Sequence, residues 1–368
     1  MGALSPMVFA LLLLVSLPLT AQEPPSFRAE TSLALVRFHV VHDNTYVLNL
    51  KPEDIQLLED GKPRKFSVFE GGRAGSKKMP VNLVLLFDIS GSVVNAGLLN
   101  PLVFKTSILD GLGNARIAVY AFSDDLRRYC RPTRHLAVLE AAFHALDKRE
   151  TGELIALKLP PKRTVRRPGT WIYAAVMATA QEFAPKPDVH STVSYDPATA
   201  SSDSAAAPDL ATTMVLTFSD GLDTTSAIPE DASGLCQELG IPVYPAVLGY
   251  RNLLDQIKLA KEAGGDRPGN TDPRPGMRLM NLEAQKADVQ RFTRLGPLTG
   301  GRAFDLPQIG LGVMQQILDF IAGQIRHQYL VGFVPEVSAS APRSHKLEVQ
   351  LVDKTIGKIS DGTRTLVH

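Results

Sequence analysis

The alternation of apolar and polar positions divides the chain into three stretches. In the first, residues 27–78, Ala34, Val36, Phe38 and Val40 alternate with Leu33, Leu35, Arg37 and His39, which is the period of a strand. The run DIQLLEDGKPRKFSVFE follows, and its Asp60-Gly61 pair marks a turn between two strand-like segments. The second stretch, residues 80–326, interleaves apolar strands with amphipathic helices. VNLVLLFD is a continuous apolar run ending in a carboxylate, the signature of a strand buried on both faces. RIAVYAF, TTMVLTFSD and IPVYPAVLG repeat that character. Between them Leu136, Leu139, Phe143 and Leu146 recur at helical spacing. Ile172, Val176 and Phe183 do so in TWIYAAVMATAQEF, and LGVMQQILDFIAGQI is a further helical pattern. Strand and helix in alternation predict an α/β fold with a doubly wound, mostly parallel sheet. The third stretch, residues 327–368, returns to β structure: Leu347, Val349 and Leu351 alternate with Lys346, Glu348 and Gln350. Two or three strands alone make a marginal core. The N- and C-terminal segments are therefore predicted to pack together as one smaller β domain. Lys186–Leu210 and Gly264–Gly276, rich in Pro, Ser, Gly and Asn, read as loop insertions.

The beginning of the chain has a different character. Met7–Leu19 is an apolar run shorter than the ~20 residues that span a bilayer, and Thr20-Ala21 then gives way to Gln22-Glu23. This is the pattern of a secretory signal peptide, residues 1–21, cut after Ala21. An uncleaved anchor is the alternative, because no Lys or Arg precedes the run and Leu19 is large for its place. The expected location is periplasmic or extracellular, with no transmembrane span after the signal peptide. Charge adds an exclusion. The 368 residues carry 39 basic and 38 acidic side chains, whereas a nucleic-acid binder usually shows a basic excess or stripe. The densest basic run, Lys162, Arg163, Arg166 and Arg167, reads as a solvated loop, so no nucleic-acid partner is expected. Two cysteines, Cys130 and Cys236, make no disulfide framework.

The chemistry lies at the strand ends. In open α/β sheets, ligands bind outside the carboxyl ends of the strands. The first central strand ends in Asp88-Ile89-Ser90-Gly91-Ser92, where three oxygen-bearing side chains can point to one spot. A second strand ends in Asp220-Gly221, and Pro168-Gly169-Thr170 stands before a helix, with Thr170 a good N-cap that can also turn its hydroxyl to the site. Two carboxylates and three hydroxyls are an all-oxygen set. Such a set selects hard cations, Mg²⁺ first and Mn²⁺ or Ca²⁺ as alternatives, over zinc or copper. Two carboxylates balance a +2 ion and leave it able to attract one more carboxylate from a partner, which is binding without turnover.

The order Asp88-x-Ser90-x-Ser92, then Thr170, then Ser-Asp220-Gly resembles the metal-ion-dependent adhesion site of von Willebrand factor type A domains. The flanks LEDGKPRKFSVFE and LTGGRAFDL resemble an exported bacterial VWFA-related family frequent in acidobacterial genomes. The resemblance covers most of the mature chain. It implies that Ser90, Ser92 and Thr170 touch the metal directly or nearly so, and that Asp88 and Asp220 act mainly through bound water. It further implies a partner, protein or surface ligand, that presents a carboxylate. In the type A topology Cys130 would end an edge strand and Cys236 would lie toward the other edge. A disulfide needs Cα atoms within about 7 Å, so no bridge is expected. Trp171 and Tyr173 read as core, with Trp171 near the metal rim as the alternative. Asp223 reads as a loop carboxylate, with a role supporting the metal ligands as the alternative, and Asp124 and Asp125 as a turn.

Enzymatic readings are weaker. A phosphotransferase with a strand-end Asp nucleophile needs a second carboxylate where this chain has Ser90. Neither Ser90 nor Ser219 lies in a G-x-S-x-G elbow, and no dinucleotide fingerprint or P-loop follows a strand. The chain is expected not to be an enzyme. The remaining alternative is a structural envelope module whose metal site is non-functional.

Overall fold

The computed structural model describes residues 34–43, 45–72, 81–95, 115–157, 169–184, 212–225, 228–263, 273–306, 311–333, 344–360 and 363–367. The predicted signal peptide, the basic run 162–167 and the loop 186–210 lie outside them. Strands β1 (Ala34–His42), β2 (Thr45–Tyr46), β3 (Ile55–Glu59), β4 (Lys62–Arg64) and β5 (Val68–Gly71) come first. The central strands are β6 (Val81–Asp88), β7 (Ala115–Phe122), β8 (Leu126–Thr133), β9 (Glu153–Ile155), β10 (Thr212–Ser219), β11 (Val243–Leu248) and β12 (Phe304–Leu306). Strands β13 (Tyr329–Phe333), β14 (Ser344–Leu351), β15 (Lys358–Ser360) and β16 (Thr363–Val367) close the chain. The helices are α1 (Gly91–Asn95), α2 (Leu136–Asp147), α3 (Ile172–Glu182), α4 (Pro229–Leu239), α5 (Tyr250–Glu262), α6 (Pro273–Leu298) and α7 (Leu311–His327).

The central sheet has the order β12-β11-β10-β6-β7-β8-β9. Its first five strands in that order are parallel, and β8 and β9 join antiparallel. Every residue of β6 is buried, as its unbroken apolar run predicts. Alternate β6 side chains feed two cores. Leu83, Leu85 and Phe87 face α2 and α7, and Val84 and Leu86 face α3, α4 and the second half of α6. Phe87 stacks on Phe218 with ring centroids 5.0 Å apart and meets Phe143 edge-on. The fold is therefore α/β, with a doubly wound, mostly parallel sheet.

The terminal segments form the smaller β domain. One sheet has the order β15-β1-β13-β5, with β2 on β1, and the other the order β16-β14-β3-β4. Ala34, Val36, Phe38 and Val40 pack with Leu57, Tyr329, Val331, Leu347 and Val349 in a single core. Asp60 and Gly61 both take positive φ, at 49° and 78°, and make the β3–β4 turn that their sequence announces. The two domains meet at the amino ends of the central strands. Arg37 donates to the Gly240 carbonyl at 2.7 Å, and a His39 ring nitrogen lies 2.8 Å from the Gln324 carbonyl.

Several expectations are corrected. The Gly264–Gly276 loop is shorter than expected, because α6 already begins at Pro273; Pro is tolerated in a first helical turn, which needs no N–H. Helices α5 and α6 escaped the periodicity reading altogether. The first half of α6 packs Leu279 and Leu282 on α5, while the second half turns Val289, Phe292 and Leu295 to the main core. One apolar face therefore never runs the length of the helix. Leu136 is exposed although its spacing marks it for the core, since it stands in the first turn of α2. Cys130 does not end an edge strand: β9 lies outside β8.

Both cysteines are free and buried, and burial pushes the Cys130 thiol up to about 11 and the Cys236 thiol up to about 12. The thiolate is the reactive form. Alkylation of the non-reduced protein should therefore label neither thiol in the native state and both in denaturant. Mass spectrometry showing no label in denaturant would mean that a bridge exists.

Candidate metal centre

Strand β6 delivers Asp88 to the carboxyl edge of the sheet, fully buried. The chain then turns back over its own carboxylate. The Ser90 amide donates to Asp88 Oδ1 at 2.8 Å, and α1 starts at Gly91. This turn brings the Ser90 and Ser92 hydroxyl oxygens to 3.1 Å from each other. The neighbouring strand supplies the rest. The parallel register pairs Phe218 with Phe87, which sets Ser219 beside Asp88. Ser219 Oγ donates to Asp88 Oδ2 at 2.6 Å and accepts from the Gly221 amide at 3.0 Å. Asp220 is turned toward α1, where its carboxylate accepts from the Ser92 hydroxyl and, at 3.1 Å, from the Leu222 amide.

The electrostatics follow from burial. Removal from water, with a smaller push from the negative charge of Asp220, raises the Asp88 carboxyl to about 6 against the hydrogen bonds from Ser219 and Ser90. Burial raises Asp220 as well, with Ser92 opposing. A buried and a half-buried carboxylate thus act on each other, and among the described residues their hydrogen-bond donors are hydroxyls and amides. A divalent cation would offset both the repulsion and the lost hydration, and every group present is an oxygen donor of the kind hard cations take. The residues fit such an ion. Among the described residues no cluster of three or more His, Cys, Asp or Glu side chains occurs that could hold a metal, so the hydroxyls would have to complete this one.

Thr170 belongs to the same end of the sheet but enters differently. Its amide donates to Thr224 Oγ1 at 2.8 Å, and its carbonyl accepts from the Thr224 amide at 2.9 Å. The next amide, of Trp171, donates to the Ser123 carbonyl just beyond β7 at 2.9 Å. The Thr170 loop is thereby strapped between the end of β7 and the segment after Asp220. Among the described residues its hydroxyl makes no hydrogen bond to Asp88, Ser90, Ser92 or Asp220. It is also not the N-cap of α3. Trp171 holds that position, because the backbone of Thr170 is already committed to Thr224. Gly169 is required there: a Cβ would run into the Thr224 hydroxyl.

Two contributors lie outside the five motif residues. Asp223 is more than a loop carboxylate. It accepts from the Tyr173 amide at 3.2 Å, in the first turn of α3, and from the amide of Thr225 at 2.6 Å. It therefore caps α3 from across the site. Ser219 is the other. Its signal was its place beside Asp220 on a strand parallel to the one carrying Asp88, but that register is not in the sequence. Gly221, at φ 82°, lets α6 close in: a Cβ would lie 3.1 Å from the Val289 Cα.

The fold is the one that the resemblance to type A domains implies. No protein-family model matches the chain, and no curated protein matches it. Among solved structures the chain is similar to an aerotolerance-related membrane protein from Bacteroides fragilis, at 17% identity over 67% of this chain and 98% of that one, with a TM-score of 0.37. It is similar to a von Willebrand factor type A protein from Catenulispora acidiphila, at 10% identity over 92% and 73% of the two chains, with a TM-score of 0.36. Proximal thread matrix protein 1 from the mussel byssus, with a zinc-occupied MIDAS motif, is similar at 11% identity over 69% of this chain and 47% of that one, with a TM-score of 0.34.

Ser219→Ala should cost about 1–3 kcal/mol in urea denaturation, because it strips a buried carboxylate and the Gly221 amide of their partner. Asp223→Ala should cost about 1 kcal/mol, the worth of a helix cap. Unchanged midpoints for both variants would show that neither contact supports the centre.

Proposed function

We propose that this chain is an exported binding protein that holds a carboxylate of a protein or surface partner through a divalent ion. Asp88, Ser90, Ser92 and Asp220 hold that ion, with Thr170 as the fifth residue. Mg²⁺ is the proposed ion, with Mn²⁺ or Ca²⁺ as alternatives. One observation carries the reading. A buried carboxylate, Asp88, and a half-buried one, Asp220, at the ends of neighbouring parallel strands meet two hydroxyls 3.1 Å apart at the carboxyl edge of the sheet. Oxygen ligands suit a hard cation, and a site short of protein donors keeps positions open for an incoming group. The chemistry is that of binding rather than of turnover. Asp88 has Ser90, not a second carboxylate, two residues on, so a strand-end nucleophile would lack its general acid. Export is part of the proposal and rests on the leading apolar run. Among the described residues no helix is long and apolar enough to cross a membrane.

The test is a metal titration of chelator-treated protein. Wild type should gain thermal stability with Mg²⁺, by about 2.7 kcal/mol at a hundredfold excess over Kd. Asp88→Ala should stay folded by circular dichroism and gain nothing. If both proteins melt alike with and without Mg²⁺, Mn²⁺ and Ca²⁺, the site is a structural polar cluster and the reading is wrong.

A further inference from the structure

The crossover from β11 to β12 carries two helices, where the crossover from β10 to β11 carries one. Helix α6 has 26 residues, and its two halves do different things. Beyond the second half, Gly301 packs against the backbone of Val243, at the amino end of β11. Val289 lies against Gly221, at the carboxyl edge. The residues before Val289 therefore continue past the carboxyl edge, for about 24 Å at the rise of an α-helix. They pack on α5 through a separate small core of Ile257, Ala260, Leu279 and Leu282, closed by a Lys261–Glu283 ion pair at 3.1 Å. The α5–α6 pair thus stands up beside the candidate metal centre.

Its outward surface is unusual in two ways. Met277 and Met280 are 52% and 65% exposed, and they are large apolar groups on a helix that has already found its core. Met277, Asn281, Ala284 and Asp288 follow one another at i, i+4, i+7 and i+11, so they line one face of α6. That face descends to the site: the charge of Asp288 acts on Tyr173, whose amide is held by Asp223 in the metal-side loop. The second feature is charge. The two helices carry eight basic and four acidic side chains, in a chain balanced at 39 to 38. Above the carboxyl edge, in α5 and residues 273–288, six basic side chains stand against four acidic ones, and Lys261 and Lys286 there pair with Glu283.

We infer that the α5–α6 pair is a second contact surface for the partner of the metal centre, and that the partner is an acidic polypeptide segment with interspersed apolar side chains. This rests on the function proposed above. One carboxylate goes to the metal. The flanking apolar residues lie on Met277 and Met280, whose unbranched side chains adapt to varied shapes, and further acidic residues meet basic groups such as Arg278. The exposed methionines favour a polypeptide over a nucleic acid or polysaccharide polyanion, which would have no use for them.

The probe is a random-peptide phage library selected on the full chain in Mg²⁺. Selected peptides should combine Asp or Glu with apolar residues. Their affinity should fall at least about tenfold in the double variant Met277→Glu/Met280→Glu and persist in Met277→Leu/Met280→Leu. Mg²⁺ binding measured calorimetrically without peptide should be the same in all three proteins. Equal peptide affinity in wild type and the Glu variant, with binding still lost in Asp88→Ala, would overturn this surface and leave the metal centre standing. Peptide binding that survives chelator and Asp88→Ala alike would overturn the metal reading itself. Selection of no acidic peptide, or displacement of the peptides by heparin or poly(U) at the helical pair, would also overturn the inference.

Discussion

The burial of Asp88 against Asp220 is the constraint on which the upper edge of this protein depends. A carboxylate out of water must be neutralised, hydrogen-bonded or paired. Here the strand places Asp88 where it cannot retreat, since Val81 and the five residues from Leu83 to Phe87 are committed to one of two cores. The surroundings can be read as responses. Ser219 and the Ser90 amide each take one oxygen of Asp88, and Ser92 takes Asp220. None of these donors carries a charge, so among the described residues the two carboxylates keep a net negative field that a bound cation would satisfy. A protein selected for stability alone would have placed an amide or an apolar residue there.

The second layer holds this arrangement rather than taking part in it. Asp223 caps α3, Thr224 straps Thr170, and Gly221 admits α6. Two separate chain segments, residues 170–173 and α6, are thereby tied to one short loop, 220–225. The loop is rigid because its side chains are spent on neighbours, which is what a site needs if it is to bind without first reorganising.

Much of this was legible in the sequence, and the remainder was hidden for particular reasons. Unbroken apolar runs announced β6, β7, β10 and β11, because strands buried on both faces have no polar positions to confuse the pattern. The strand-end placement of Asp88 and Asp220 followed directly. Helices α5 and α6 were not legible: α6 changes packing partner midway, so no single stripe exists along it. The role of Ser219 depends on strand register and that of Asp223 on a helix contributed by a different crossover. Both are facts of pairing between segments far apart in sequence, which local periodicity does not contain. Thr170 was singled out by its order among the motif residues, and its cap role was misassigned because the hydrogen bonds to Thr224 act through its backbone, not its side chain.

The pairing of β1 with β13 has a consequence for how the molecule is made. His39 meets Gln324 across 285 residues of sequence, and Ala34 lies opposite Phe333 in the same ladder. Contacts of such separation form late, since a long loop must close before they give anything back. As the chain emerges from the amino end, β1 has only its short pairing with β2, and its longer partner β13 arrives after the whole central domain has been synthesised. The central sheet contains all of its own strands and needs neither terminal segment for its pairing. Assembly therefore runs from the middle outward, and residues 34–72 wait with only the local β1–β2 and β3–β4 pairings and an uncovered apolar face until the last strands arrive.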